Sequence, residues 1–299
     1  GMGVVYRATE FQTGRTVALK ILHRKFLPGS VERVRFQREA QALAAVNHPN
    51  VVRVFDMGFD AVGHPFVVME LLPGQTLAQL IERGPVEPRI AVGITLGLLS
   101  ALAAVHEAGI VHRDIKPGNL FITSASDGTE QVKVLDFGIS KSGTELNNLT
   151  RTGAVMGSPM YMSPEQMRST RNVDQRSDVW SLGVVAFELL TGRLPYEAET
   201  MTELVAMVLE NDPPRVRDLR ADVPPALDDA VSGALTKNPD KRYRDVAEFA
   251  QDIATAMNDA QLHEQAARIR RIVSRGTDEL TGSQQVSSAT GSPARSHIR

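Results

Sequence analysis

The 299-residue chain contains no cysteine, which excludes disulfides, thiolate nucleophiles and cysteine-rich zinc sites. It also lacks a charge imbalance. With 33 basic side chains against 35 acidic ones and a formal net charge of −2, it has no general electrostatic pull toward nucleic acid or anionic lipid. No signal peptide is visible. The longest uncharged stretch, residues 90–105, falls short of the ~18–20 apolar residues a bilayer needs and carries Gly93, Thr95, Gly97 and Ser100, so it reads as a buried helix. What remains is a globular chain, 42% hydrophobic and 23% charged, long enough for two lobes around sizeable cores, and expected in the cytoplasm. It starts at Gly1 and not at Met, and therefore reads as processed, cloned or cut.

Residues 111–138 carry the chemistry. Apolar runs at Leu120-Phe121-Ile122 and at 132–135 flank a turn containing Asp127-Gly128, a hairpin pattern. Asp114, Lys116 and Asn119 precede the first strand, and Asp136 follows the second. An antiparallel pair sets the start of one strand beside the end of the other, so two carboxylates, an amide and a lysine converge. Oxygen ligands suit Mg²⁺ and a lysine neutralises phosphate. Taken singly, an Asp near a turn is more often a turn residue.

His112-Arg113-Asp114, with Asn119 five residues after the Asp, then Asp136-Phe137-Gly138, resembles the catalytic and metal loops of eukaryotic-type protein kinases. Lys116-Pro117-Gly118-Asn119 resembles their serine/threonine branch, and Tyr161-Met162-Ser163-Pro164-Glu165-Gln166 its bacterial members. The resemblance implies an α+β, two-lobed kinase fold: a small antiparallel β lobe with one helix over 1–69, a hinge at 70–74, and a larger, mainly helical lobe over 75–257. It further implies transfer of the γ-phosphoryl group of ATP to hydroxyls of protein substrates with Mg²⁺.

The rest of the chain supplies the companions in order. Gly1-Met2-Gly3-Val4-Val5-Tyr6 leads into a strand, a turn follows at Thr13-Gly14, and a second strand spans 16–22. A lone Gly-Met-Gly is more often a turn. By resemblance, Gly3 is the last glycine of the kinase glycine-rich loop and Val5 the valine over the adenine, the two earlier glycines and the first strand being absent. The missing strand is expected to leave a sheet edge open, to make the small lobe the less stable half and to weaken ATP binding.

Lys20, in Val17-Ala18-Leu19-Lys20, is either an edge residue reaching water or a charge held by a partner. Residues 31–46, opened by Ser30, form a helix whose inward face runs through Phe36, Ala40 and Leu43. Glu39 falls within that face, so it is either a solvated helix charge or the partner of Lys20. The kinase resemblance favours the ion pair.

Strands are expected at 51–55 and 66–71, and Leu72-Pro73-Gly74 breaks the pattern at the hinge. Met69 guards the back of the nucleotide pocket by resemblance, and the main chain of Glu70 and Leu72 reads the adenine. Pocket residues implied in this way are Gly1, Gly3, Val5, Ala18, Lys20, Met69, Glu70, Leu72, Asn119 and Asp136. The same resemblance implies that Asn119 and Asp136 would hold the metal, that Asp114 would accept or orient the hydroxyl proton, that Lys116 would steady the moving phosphoryl group, and that Lys20 with Glu39 would hold the α- and β-phosphates.

A helix over 88–106, stopped by Gly109, carries a stripe through Ile90, Ile94, Leu98, Leu102 and Val105. Residues 139–162 are polar and aperiodic and join the metal loop to Ser163-Pro164-Glu165, like a kinase activation loop. Thr150 and Thr152 are its foremost phosphorylation candidates, with Ser142 and Thr144 behind them, and Arg113 is a guanidinium suited to a phosphate. Ser158 stands where the family usually has threonine.

A helix from Asp178 to Leu190 is apolar nearly all round, with Asp178 read as the anchor of the catalytic loop and Arg242 as the partner of Glu165. Further helices are expected at 201–210 and 246–257. Residues 261–275 form a basic amphipathic helix, read as a solvated linker in preference to a docking element, and 276–299 read as disordered. A pseudokinase acting as a binding module is the alternative class. Its usual mark is loss of the lysine, the base or the metal aspartate, and all three are here. A fragment of a membrane receptor kinase is a further alternative.

Overall fold

The computed structural model describes residues 3–124, 128–136, 158–168 and 173–287, with side chains through Ser274. Four antiparallel strands form the small lobe: β1 (Gly3–Thr9), β2 (Thr16–Leu22), β3 (Val54–Phe59) and β4 (Pro65–Glu70), in the order β1-β2-β4-β3. Strand β1 forms one edge, where Val4, Val5 and Tyr6 are 40%, 58% and 50% exposed.

Helix α1 (Val31–Ala45) starts where Ser30 Oγ accepts the Arg33 N–H at 3.2 Å, and it turns Phe36, Ala40 and Leu43 inward. Phe36 and Ala40 join Leu22 and Phe26 in a core separate from that of the large lobe. Phe26, Phe36 and Phe59 pack there with ring centroids 5.5–6.4 Å apart. The sheet is therefore steadied by a few aromatic contacts of its own, each worth about 0.5–1.5 kcal/mol beyond area burial.

One strand lies later than its apolar run suggests. Val51 and Val52 are buried, yet they join no small-lobe strand. Val51 bridges Val134, and the Val52 N–H donates to the Val134 carbonyl at 3.0 Å. Residues of strand character thus pair with the hairpin of residues 120–134, and β3 begins at Val54 with a register shift between Val54 and Asp56.

The large lobe holds β5 (Gln75–Thr76), α2 (Leu77–Ile81), α3 (Pro88–Glu107), β6 (Leu120–Ser124), β7 (Glu130–Val134), α4 (Pro164–Arg168), α5 (Arg176–Thr191), α6 (Met201–Glu210), α7 (Val216–Leu219), α8 (Pro225–Ala234), α9 (Val246–Thr255) and α10 (Ala260–Ser287). Helix α3 is long and apolar enough to cross a bilayer by length and composition, but it packs in the folded core, and Leu98, Leu99, Leu102 and Val105 are buried. It stops at Gly109, whose φ of 73° suits a residue without Cβ. Its stripe is narrower than the periodicity suggests, since Ile90 is 51% exposed. Helix α5 is buried from Ser177 to Phe187 and forms the axis of the lobe.

Helix α10 corrects the reading of 261–275 as a solvated linker. Leu262, Ala266 and Ile269, spaced four and three residues apart, are buried in the main core, and Arg89 Nε meets Asp259 Oδ2 at 2.7 Å just ahead of the helix. Arg268, Arg270 and Arg271, which suggested solvation, are exposed on the other face, and the helical backbone continues to Ser287, correcting the reading of 276–287 as disordered. Because Leu262 is only 4% exposed, Leu262→Ala should destabilise the chain by about 2–5 kcal/mol, read by denaturant unfolding. An unchanged midpoint would show that α10 is peripheral to folding.

Candidate active site

The hairpin delivers its groups as an antiparallel pair must. Leu120 lies opposite Val134 and Ile122 opposite Val132, so the residues flanking the strands become neighbours. The Leu135 N–H donates to the Asn119 carbonyl at 2.8 Å, tying the catalytic loop to the segment that carries Asp136. Lys116 Nζ lies 3.0 Å from Asp114 Oδ2, and Asn119 Nδ2 donates to the same oxygen at 3.1 Å and to the Asp114 carbonyl at 3.0 Å. With the amide nitrogen so used, the Asn119 side chain offers its oxygen.

The loop hangs from one buried carboxylate. Asp178 Oδ2 accepts the His112 N–H and Oδ1 the Arg113 N–H, each at 2.8 Å, and His106 Nε2 lies 2.8 Å from Oδ2. Burial pushes the Asp178 carboxyl up, but the His106 hydrogen bond and charge, with His112 beside it, bring the net below the usual carboxylate range. Asp178 thereby holds Arg113 at a φ of 63°, a conformation that costs a non-glycine residue about 1–3 kcal/mol. His112 Nδ1 accepts the Asp114 N–H at 3.2 Å while Nε2 faces the Leu135 carbonyl at 3.0 Å, which fixes a neutral ring protonated at Nε2. Burial pushes its pKa down, in keeping with that state.

Lys20 sits where β2 was expected to put it, but its partner differs. Its Nζ is 2.7 Å from Asp136 Oδ1, and Glu39 instead accepts from Arg35 Nε at 2.8 Å. The expected Lys20–Glu39 pair is not formed. Arg35 lies one helical turn before Glu39 and reaches it whatever the tertiary arrangement, whereas Asp136, held at a φ of 44°, meets the lysine across the cleft.

Ala18 pairs in register with Met69, and both are buried, at 7% and 8% exposed. Val5 lies opposite Lys20. A Cβ at Gly3 would stand 2.3 Å from the Ile21 carbonyl oxygen, so close strand approach requires glycine there. After Glu70 the chain leaves β4 and crosses to the large lobe, where Leu72 packs against the main core. Gly1, Phe137, Gly138, Ser142, Thr144, Thr150 and Thr152 lie outside the described residues.

Several contacts had no usable signal in the sequence. Glu70 Oε1 accepts from Lys133 Nζ at 2.7 Å and from the Arg53 N–H at 2.8 Å, so the hinge residue's side chain clasps the catalytic hairpin. Gln166 Nε2 donates to the Arg113 carbonyl at 3.2 Å. The expected Arg242–Glu165 pair is present and bidentate, at 2.8 and 3.0 Å, with the guanidinium 5.2 Å over the Trp180 ring. Burial pushes the Glu165 carboxyl up, but Arg242 and Ser177 bring it below the usual range. Arg113 Nε is a buried donor with no hydrogen-bond partner among the described residues.

A lysine and an aspartate from opposite lobes face one cleft beside an aspartate, lysine and asparagine on one loop, and comparison with known proteins gives the family. The chain belongs to the protein kinase domain family, which matches residues 1–255. It is 39% identical over 88% of its length to the serine/threonine-protein kinase PknL of Mycobacterium tuberculosis, covering 65% of that protein. It is 40% identical over 85% of its length to the serine/threonine-protein kinase PknB of Mycolicibacterium smegmatis, covering 40% of that protein. The crystal structure of the Mycobacterium tuberculosis PknI kinase domain superposes with a TM-score of 0.66 at 26% identity, over 86% of this chain and 91% of that one. The α+β, two-lobed kinase fold is thus established. The chain spans less than two thirds of the length of these curated relatives.

Two histidines set an acid limit. Burial lowers the pKa of His112, and burial followed by the charge of Lys133 lowers that of His48. Near the ordinary value of about 6.5 the unfolded chain takes up protons that the folded chain refuses, so their stabilisation is complete above about pH 6.5 and is lost below it. Asp178 and Glu165, both lowered, lose theirs at more acid pH, as it falls through their folded values. The melting temperature should hold above about pH 6.5 and fall progressively toward about pH 5. A flat profile across that range would contradict neutral His112 and His48 in the folded chain.

Proposed function

We propose that this chain is an ATP-dependent serine/threonine protein kinase that phosphorylates protein substrates in the cytoplasm, switched by phosphorylation of its own loop. The observation that carries this reading is the convergence of Asp114, Lys116 and Asn119 on one loop with the Lys20–Asp136 pair across the cleft. The donor set fits a hard cation: one carboxylate and one amide oxygen, on segments tied by the Leu135–Asn119 hydrogen bond, match Mg²⁺, which prefers one or two protein oxygens plus substrate phosphates. When bound, the ion neutralises charge developing on the phosphates.

The chain's own residues do the positioning. Asp114 lies on a loop fixed by Asp178 and accepts the proton of an incoming hydroxyl, while Lys116, already at its carboxylate, meets the negative charge of the phosphoryl group. Lys20, held by Asp136, turns to the α- and β-phosphates when nucleotide enters. Glu39 becomes available to orient Lys20 once it leaves Arg35, an exchange of a partly exposed pair worth about 0–1 kcal/mol. Ala18 and Met69 bound the adenine side, with Val5 above and the backbone of Glu70 and Leu72 as readers. A partner-binding module without transfer would tolerate loss of Lys20, Asp114 or Asp136, and this chain retains all three.

Lys20→Met, Asp114→Asn and Asp136→Asn should each lower phosphate transfer from labelled ATP to a generic basic protein by about 10²-fold or more while leaving the unfolding transition in place. Transfer at the parent rate in any of them would overturn the assignment.

The buried Arg113 donor supports a phosphate-ordered loop. Mass spectrometry of active protein should find phosphate at Thr150 or Thr152, and Ala at both should lower turnover. Full activity in unphosphorylated protein would remove the switch.

A further inference from the structure

A large concavity on the large lobe lies apart from the site residues. It is a groove of about 1080 Å³ bounded by α2, the exposed face of α3, the β6–β7 hairpin and α10. None of Lys20, Asp114, Lys116, Asn119 or Asp136 lines it. We propose that this groove docks an acidic, apolar-rich segment of a protein substrate.

Its walls argue for a peptide. Apolar side chains line it, among them Leu80, Ile90, Ile94, Ile269 and Ile272, and Ile90 is 51% exposed on a helix whose other face is buried in the core. An exposed isoleucine facing a concave, half-apolar surface is a ready anchor for a partner's side chain.

The charges around that lining are unequal. Four arginines, Arg83, Arg89, Arg268 and Arg271, face a single carboxylate, Glu130. Two are compensated from outside: Arg89 by Asp259 at 2.7 Å and Arg268 by Glu264 at 2.6 Å. Of the other two, Arg83 bonds the neutral amide of Gln75, and Arg271 shares the field of Glu264, which already pairs with Arg268. The groove is therefore locally cationic on a chain whose formal net charge is −2, and such a contrast selects acidic partners and speeds their encounter.

Other anions fit less well. A flat bilayer cannot follow a concave groove, and a nucleic-acid backbone would set its phosphates over an isoleucine-rich floor. A protein segment alternating carboxylates with Leu or Ile satisfies both the arginines and the floor. The inference rests on the phosphotransfer reading for the word substrate, since docking away from the cleft raises the effective concentration of a hydroxyl at Asp114.

The test uses the full chain and a fluorescein-labelled peptide alternating Glu or Asp with Leu or Ile, its Lys-for-Glu counterpart, and the acidic peptide fused to a Thr-containing acceptor. Anisotropy without ATP reads docking independently of catalysis. The acidic peptide should bind, its Lys counterpart should not, and Arg83→Glu with Arg271→Glu should weaken binding at least tenfold. Arg83→Gln with Arg271→Gln, which introduces no new charge, should give a smaller loss in the same direction. With ATP, the KM for the fused acceptor should rise about tenfold in the charge-reversed variant at unchanged kcat, while an unfused acceptor is unaffected.

Equal binding of the acidic peptide by parent and Gln variant, equal binding of the Lys peptide, or arginine-dependent binding of phosphatidylserine vesicles or poly-uridine in place of the acidic peptide would each overturn the proposal. Arginine-dependent docking without phosphorylation of any acceptor would leave the groove assignment standing and remove the phosphotransfer reading instead.

Discussion

One buried carboxylate holds this site together. Asp178 is fully buried, and a charge in that position costs several kcal/mol unless hydrogen bonds replace its water. The backbone N–H groups of His112 and Arg113 and the ring of His106 replace it. The requirement runs both ways: the carboxylate needs those donors, and the loop needs the carboxylate to keep Arg113 at positive φ. Since Asp178 belongs to α5, the most completely buried helix, the position of Asp114 is referred directly to the rigid core of the large lobe.

The small lobe is built to a looser standard. Its aromatic cluster is separate from the main core, while Ala18, Leu43 and Met69 pack into that core and two ion pairs, Glu70 with Lys133 and Lys20 with Asp136, join the lobes. Apolar packing at this density is intolerant of displacement, whereas partly exposed ion pairs exchange partners at little cost. The Asp114 loop is thus referred to the large-lobe core, while Lys20 and Glu39 are held by partly exposed ion pairs.

Much of this could be read along the chain. The hairpin, the convergence of Asp114, Lys116 and Asn119, the anchoring by Asp178, the Arg242–Glu165 pair, the Ser30 cap and the inward face of α1 all appear as expected. Each rests on something local, such as a two-residue or 3.6-residue period, a cap, or a motif whose spacing matches the reach of one loop. The departures share a different origin. Val51 and Val52 have strand character but pair with Val134, Ile90 fits the apolar stripe but faces the groove, and the basic face of α10 hid the apolar face that packs.

The sequence by itself determined which groups this protein brings together: Asp114, Lys116, Asn119 and the elements that bear them follow from residue type and short-range period. Only the tertiary structure decided which charges meet, since Lys20 could reach either Glu39 or Asp136 and Glu39 either Lys20 or Arg35. It also decided that Glu70 closes on Lys133, 63 residues away, and that α10 completes a cationic groove with α2 and α3. The physical reason is range. Periodicity and capping act within a turn or two of backbone, while an ion pair or a groove wall depends on where remote segments come to rest once the core has packed.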